Sequence, residues 1–338
     1  MSSSPSSQQV ERQVTDSKPS WRRSLVAFLL LTAVFNVSLF VGVLLIDPYS
    51  TGRFALTQNV DIATNHFRFS RVGIARDQRF NGALIGASSS HVLDPRVIGE
   101  QTGWRIAQLT VSGASAQEQL IVARAFDRHH QEQPTLLILV LDGWCGGSRR
   151  GNDADGPENV PAWLYEGSTS KYLAHILTPH SVETAVDRLL IWLGLEEPVT
   201  REDGHEVVPR SWPQRDLSTL SRPYDAQAAS LQAPGLLARH LAGLAGDTRV
   251  MLVFGPQYAG AHPVAGSPAD LSRKECKRQI SELAASRPNT GYLDLLTEND
   301  ISGNPEYFWD GAHYKYVAAK LVENAVVSEM RDQGIAVP

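Results

Sequence analysis

The sequence predicts an α/β fold, a three-layer sandwich with a mostly parallel sheet, preceded by one N-terminal transmembrane helix. Three observations predict it. Residues 24–46 (SLVAFLLLTAVFNVSLFVGVLLI) form one uncharged apolar run. Short apolar runs then recur at 83–86 (ALIG), 105–111 (RIAQLTV), 136–141 (LLILVL), 250–254 (VMLVF) and 292–296 (YLDLL). Longer stretches with helical spacing separate or follow them, at 116–130, 228–244, 268–285 and 314–331.

The chain opens with a Ser- and Gln-rich segment that cannot bury enough apolar surface to fold, so residues 1–23 read as a disordered tail. The apolar run that follows suits a membrane span, because a helix rising about 1.5 Å per residue needs roughly 20 residues to cross about 30 Å of hydrocarbon. A secretory signal would have a shorter apolar core and a small-residue cleavage site, and the run ends instead in Leu45-Ile46-Asp47-Pro48. A buried globular helix is the other reading. Arg22 and Arg23 abut the span, so the positive-inside rule leaves the N-terminus in the cytoplasm. Everything after Ile46 is then exported. In a Gram-negative cell that means an inner-membrane, single-pass protein with a periplasmic domain.

Residues 47–79 read as a juxtamembrane linker and 80–338 as one α/β domain. Continuous Val/Ile/Leu runs of four to seven residues suit strands covered on both faces, as in a parallel sheet. In the 116–130 segment Leu120, Ile121, Ala123, Ala125 and Phe126 cluster as on an amphipathic helix. Strand–helix alternation places ligands at the carboxyl ends of the strands. The alternation breaks once, at about 145–224, where Trp163, Trp192 and Trp212 lie among Pro and Gly, with Trp144 at the edge. That insertion is either a cap over the substrate or a packing layer that shields the sheet.

Two segments carry chemistry. Gly86-Ala87-Ser88-Ser89-Ser90 follows the first strand, so Ser88 stands on a tight turn near backbone N–H groups able to stabilise an oxyanion. Ser-rich turns are also ordinary loop and cap elements. Near the far end lies Trp309-Asp310-Gly311-Ala312-His313-Tyr314. Asp310 there can hold His313 Nδ1–H and leave Nε2 free to accept a hydroxyl proton. Alternatively Asp310 caps the last helix and His313 sits in its first turn.

Taken together, a strand–GxS turn near the start of the domain and a D-x-x-H before its last helix resemble the SGNH (GDSL-like) hydrolase superfamily. The resemblance covers most of residues 80–330. It extends to uncharacterised membrane-anchored bacterial members through DPY at 47–49, LIGASSS at 84–90, LDGWC at 141–145, PAWLY at 161–165 and the terminal DGAHY. Relatives of those members include exopolysaccharide O-acetyltransferases. The resemblance implies a flavodoxin-like sheet and ester hydrolysis or acyl transfer, with Ser88 as nucleophile, His313 as base and Asp310 as orienting acid. It also implies an oxyanion hole from the N–H groups of Ser88 and Gly113. Two positions depart from the pattern. Ala87 replaces the usual Asp, which is no triad member. Asp142-Gly143-Trp144-Cys145 stands where a G-x-N motif supplies an asparagine, and a carboxylate there repels an oxyanion unless it points elsewhere.

The expected activity is therefore a membrane-anchored esterase or acyltransferase acting on a cell-envelope glycan. The alternative is a non-catalytic glycan-binding or assembly protein on the same fold. Asp142, Trp144, Gln257 and Tyr258 are candidate substrate-proximal residues, being at the carboxyl ends of strands. Cys145 and Cys276 are a candidate disulfide in an oxidising compartment, their approach left open by the sequence. No metal or organic cofactor is expected: phosphate-binding glycine loops are missing from the sequence, and His129-His130 and His175/His180 lack ligand spacing. The expected partners are the membrane, a glycan or acylated substrate and a membrane acyl-transfer protein. With 31 Lys+Arg against 36 Asp+Glu and a net charge of −5, no nucleic acid is expected.

Overall fold

The computed structural model describes residues 21–54, 67–146, 160–207, 211–225 and 228–335. The tail expected over 1–23 therefore lies, up to residue 20, outside the described residues.

The first helix, α1 (Trp21–Ile46), includes the whole uncharged run and the Trp21-Arg22-Arg23 flank. Among the described residues it is the one helix long and apolar enough to cross a membrane. Its side chains are exposed until Ser38, after which Val43 is buried and Leu39, Phe40, Leu44 and Ile46 pack on the domain. Asp47 ends it in the left-handed conformation (φ 50°), with its N–H on Val43 O, and Pro48 cannot continue it.

The described parts of the segment read as a linker, 47–54 and 67–79, contribute to the core. Asp47 is buried and accepts hydrogen bonds from Thr51 Oγ1 (2.9 Å) and the Gly52 N–H (2.6 Å), and the Tyr49 hydroxyl meets Ser181 Oγ at 3.0 Å. A helix, α2 (Phe67–Ala75), follows. It escapes a periodicity reading because its buried face carries Ser70 and Arg71. The Arg71 guanidinium is fully buried and donates to Thr110 O (3.0 Å) and Gly204 O (2.8 Å), which ties this helix to the sheet's edge.

Five strands form one wholly parallel sheet: β1 (Gly82–Ile85), β2 (Ile106–Gln108), β3 (Leu136–Val140), β4 (Arg249–Phe254) and β5 (Thr290–Asp294), ordered β2-β1-β3-β4-β5. The ladders differ from the apolar runs mainly at β2, which stops at Gln108 instead of 111. It is an edge strand, and there the Gln108 N–H turns to Asp203 O (2.6 Å). Successive side chains alternate between faces, as a pleated strand requires. Ala83, Ile85, Leu137 and Leu139 pack under α4 (Ala116–His129), and farther along that layer lie α8 (Ala228–Ala242) and α9 (Pro268–Ser286). Leu84, Ile138 and Val253 pack on the other face, against α3 (Pro95–Thr102) and α10 (Tyr316–Asp332). The result is the expected three layers.

The described helices of the insertion form a packing layer, one of the two readings the sequence left open. They are α5 (Ala162–Tyr165), α6 (Thr169–His175) and α7 (Pro179–Trp192), which form an outer layer over α2, α4 and the end of α1. Residues 200–206 cover the open edge of β2, the part of a parallel sheet most in need of a partner. Arg201 bonds both Asp94 and Asp203 there. Trp212, farther on, reaches the strand ends. Cys145, just after β3, is joined to Cys276 on α9 by a disulfide with Cα atoms 5.6 Å apart.

Candidate active site

The turn after β1 is made possible by Gly86. A Cβ at that position would stand 2.2 Å from Ser90 Oγ and 3.1 Å from Val140 Cβ, so only glycine lets the chain bend against β3. Ser90 is buried behind the turn, and its hydroxyl donates to Ala87 O at 2.8 Å. Ser88 is left half-buried at the strand's carboxyl end. It opens a five-residue 3-10 helix (Ser88–Val92), and the α-helix starts only at Pro95, capped by Asp94. The local donors are therefore single amides instead of the dipole of a long helix.

Asp310 and His313 reach this turn from the loop before α10. Phe308 and Tyr314 bridge as an antiparallel pair, and the Trp309 N–H donates to His313 O at 2.8 Å. This closes the intervening residues into a tight loop and delays α10 to Tyr316, so Asp310 is not its N-cap and His313 is not in its first turn. Asp310 Oδ1 accepts the N–H groups of Ala312 and His313, both at 2.8 Å, while Oδ2 accepts His313 Nδ1–H, also at 2.8 Å. With Nδ1 carrying the proton, Nε2 is the acceptor, and Ser88 Oγ lies 2.8 Å from it. Burial pushes the Asp310 carboxyl up, but hydrogen bonds from the His313 ring and the two amides outweigh burial and bring its pKa down to about 2. It is a carboxylate at any ordinary pH.

Two backbone amides near this turn bear on the site. Gly113, in the turn after β2, has φ 68°, a conformation that admits glycine freely and strains other residues. Neither its N–H nor that of Ser88 has a hydrogen-bond partner among the described residues. His91 Nε2 meets Ser112 Oγ at 3.2 Å and Arg68 donates to Ser112 O at 2.8 Å, so the residue before Gly113 is held from two sides.

The remaining expected site residues divide. Asp142 is half-buried after β3, and its Oδ2 accepts the Ala87 N–H at 3.0 Å. It is thus turned toward the backbone beside the serine. Burial raises its pKa, and hydrogen bonds from Ser89, the Ala87 amide and Ser90 only partly oppose that rise. Gln257 accepts a hydrogen bond from Arg273 Nη2 (3.3 Å), and the Tyr258 N–H donates to Gly311 O (3.2 Å), bracing the Asp310 loop from β4. Trp144 corrects the expectation that it lies near substrate. It is buried in the core with its indole N–H on Gln119 Oε1 (2.9 Å), so it packs under the sheet's end.

The sequence reading passed over Trp212 as a site residue. Its ring stacks on His313, with centroids 4.5 Å apart and planes 15° apart. The only available signal was its position in a Trp-rich insertion at a strand's carboxyl end. The other histidines have local roles: His130 bridges Phe126 O and Asp77 O, and His175 and His180 lie against the rings of Trp163 and Phe69. His129 is pushed down to about 4 by burial and the Arg76 and Arg128 charges, so it stays neutral and adds no cation to the end of α4. Among the described residues no group of three His, Cys, Asp or Glu is arranged to hold a metal ion.

No family model and no curated protein matches this chain. Among solved structures it is similar to BT4096, a gut microbial diltiazem-metabolizing enzyme, with 11% identity and a TM-score of 0.39. The likeness covers 75% of this chain and 47% of that one, so the chain spans about half the length of its structural neighbour. So low a likeness carries no inference about activity.

Proposed function

We propose that the protein is a serine esterase or O-acyltransferase of the SGNH type, acting from a membrane anchor on a cell-envelope glycan. One observation carries the reading: a continuous Ser88–His313–Asp310 relay, with both contacts at 2.8 Å, at the carboxyl end of a parallel sheet.

In the first half-reaction Ser88 Oγ bonds to the acyl carbon of an ester while its proton passes to His313 Nε2. The carbonyl oxygen becomes an oxyanion facing the N–H groups of Ser88 and Gly113, whose donors are fixed before the charge develops. The ester C–O bond then breaks, and the imidazolium returns its proton to the departing alkoxide. In the second half-reaction His313 takes a proton from a sugar hydroxyl or from water, whose oxygen attacks acyl-Ser88; the acyl C–Oγ bond then breaks, the new ester or acid leaves, and the imidazolium returns its proton to Ser88 Oγ. Asp310 holds the tautomer and stabilises the imidazolium throughout. The indole face of Trp212 favours the same cation.

Asp142 supports a second reading, a glycan-binding or assembly protein on this fold. It stands where an asparagine would donate to the oxyanion, and a carboxylate cannot donate unless protonated. Labelling of the full-length protein with a serine-directed fluorophosphonate separates the two. Labelling of wild type, lost in both Ser88→Ala and His313→Ala, supports the esterase reading. A folded wild type that does not label supports the binding reading.

A further inference from the structure

The insertion helix α7 buries one side, with Ser181, Thr184, Ala185 and Arg188, and exposes an apolar stripe on another. Val186, Leu189 and Leu193 recur at helical spacing along that stripe. Trp192 (62% exposed), the last residue of the helix, adds to it, and Leu195 (68%) extends it past the helix end. Isolated surface leucines are ordinary, but a cluster holding a tryptophan calls for an occupant.

Its position names the occupant. α7 packs against α1. Its start lies by Tyr49, whose hydroxyl meets Ser181 Oγ at 3.0 Å; two turns later Arg188 donates to Asp47 O at 2.8 Å and to Ser50 Oγ. Arg188 thus sits against the residues that end α1, and Trp192 lies one turn farther along α7. α1 has 26 residues, about 39 Å at about 1.5 Å per residue, against about 30 Å of hydrocarbon. Trp21, Arg22 and Arg23 hold one end at an interface, so the hydrocarbon ends near Val43. The turns from Leu39 to Ile46, which the domain covers, straddle the opposite interface.

We propose that the C-terminal end of α7, Trp192-Leu193-Gly194-Leu195 with Leu189 and Val186 behind it, lies in the headgroup layer of the bilayer that α1 crosses. This second contact stops the domain from turning about α1. A tryptophan with an apolar body and one N–H donor suits that layer. Glu183, in the second turn of α7, is exposed, and Glu196-Glu197 are exposed after Leu195. With acidic rather than basic neighbours, the contact is apolar and needs no anionic lipid. The proposal rests on reading α1 as a membrane span and is independent of the chemistry at Ser88.

The test places single cysteines for an environment-sensitive fluorophore at Leu195, at Leu31 within α1, and at Val317 on α10, across the sheet from α7. The full-length oxidised protein is reconstituted in phosphatidylcholine vesicles and in native membranes. Quenching at Leu31 and Leu195 by lipid-borne quenchers, with Val317 quenched only from water, is the expected result at low and high salt. If Leu31 lies in lipid and Leu195 in water, the interfacial contact is wrong although the span stands. If Leu31 is also in water, the span itself fails and the proposal with it. Protection of Leu195 in native membranes but not in pure lipid assigns the patch to a protein partner and equally overturns the proposal. The oxidised state of Cys145–Cys276 and a melting temperature equal to that of wild type verify that each variant is folded.

Discussion

Asp310→Asn isolates the electronic role of the acid from its structural one. In the native loop one carboxylate oxygen accepts two backbone N–H groups and the other accepts His313 Nδ1–H. An asparagine keeps its carbonyl oxygen for the two amides, so the loop survives. Its NH₂ then faces a ring N–H, two donors in contact, and the imidazole is driven to the other tautomer. Nε2 then carries the proton, points it at Ser88 Oγ, and can no longer act as a base. The expected loss in fluorophosphonate labelling rate is about 10⁴-fold, or about 5.5 kcal/mol of barrier. Asp310→Ala also removes the acceptor for the two amides and should cost about 1–3 kcal/mol of stability. A linked readout comes from acid unfolding. The Asp310 pKa is held down at about 2, below its unfolded value, so the carboxylate's contribution is present above that unfolded value and fades as pH falls through about 2. Asp310→Asn should flatten that limb. The measurements are labelling kinetics and denaturation against pH on the full-length protein. An Asp310→Asn variant that folds normally and labels within tenfold of wild type would falsify the relay.

Four further outcomes are expected. Glu323, buried on α10 with Oε1 accepting the Asp94 N–H at 2.7 Å, has its pKa pushed up to about 7 by burial and by Asp94. Its folded value lies above its unfolded one, so stability should fall as pH rises from about 4.5 to 7, by at most about 3 kcal/mol; Glu323→Gln, which keeps the acceptor, should abolish that slope in melts at several pH values. Gly86→Ala should destabilise the protein by about 1–3 kcal/mol and cut labelling, and a second change, Ser90→Gly, should restore part of both. Replacing Cys145 and Cys276 by alanine opens a loop with a sequence separation of 131, and chain entropy puts the loss at roughly 3–5 kcal/mol in denaturant titrations. Trp212→Leu should slow labelling about threefold to tenfold through loss of the aromatic face on the imidazolium, with Trp212→Phe retaining most of the rate; equal rates for all three proteins would leave Trp212 a packing residue.

Much of the architecture was legible because buried parallel strands have no polar face. Their apolar runs stand out, and four of the five match ladders to within a few residues. The helices that were missed have plain reasons. α2 buries an arginine and a serine, α3, α5 and α6 have eight residues or fewer, α7 lies inside the Pro- and Gly-rich insertion, and each takes its partners from distant parts of the chain. At the edge strand β2 the outward-facing Gln108 amide pairs with Asp203, a contact spanning the insertion.

The site divides along the same line. Local chemistry marked Gly86, Ser88, Asp310 and His313, because a tight turn and a D-x-x-H leave their imprint within a few residues, whereas Gly113 was named only through the family resemblance. Only the folded chain decides that Ser88 Oγ and His313 Nε2 stand at 2.8 Å, that Asp142 turns to the Ala87 amide, that Trp144 is core and that Trp212 lies on the imidazole ring. Strand periodicity and turn composition act over a handful of residues and are written in order along the chain. Contacts between residues tens to hundreds of positions apart depend on how layers pack, which no local pattern encodes.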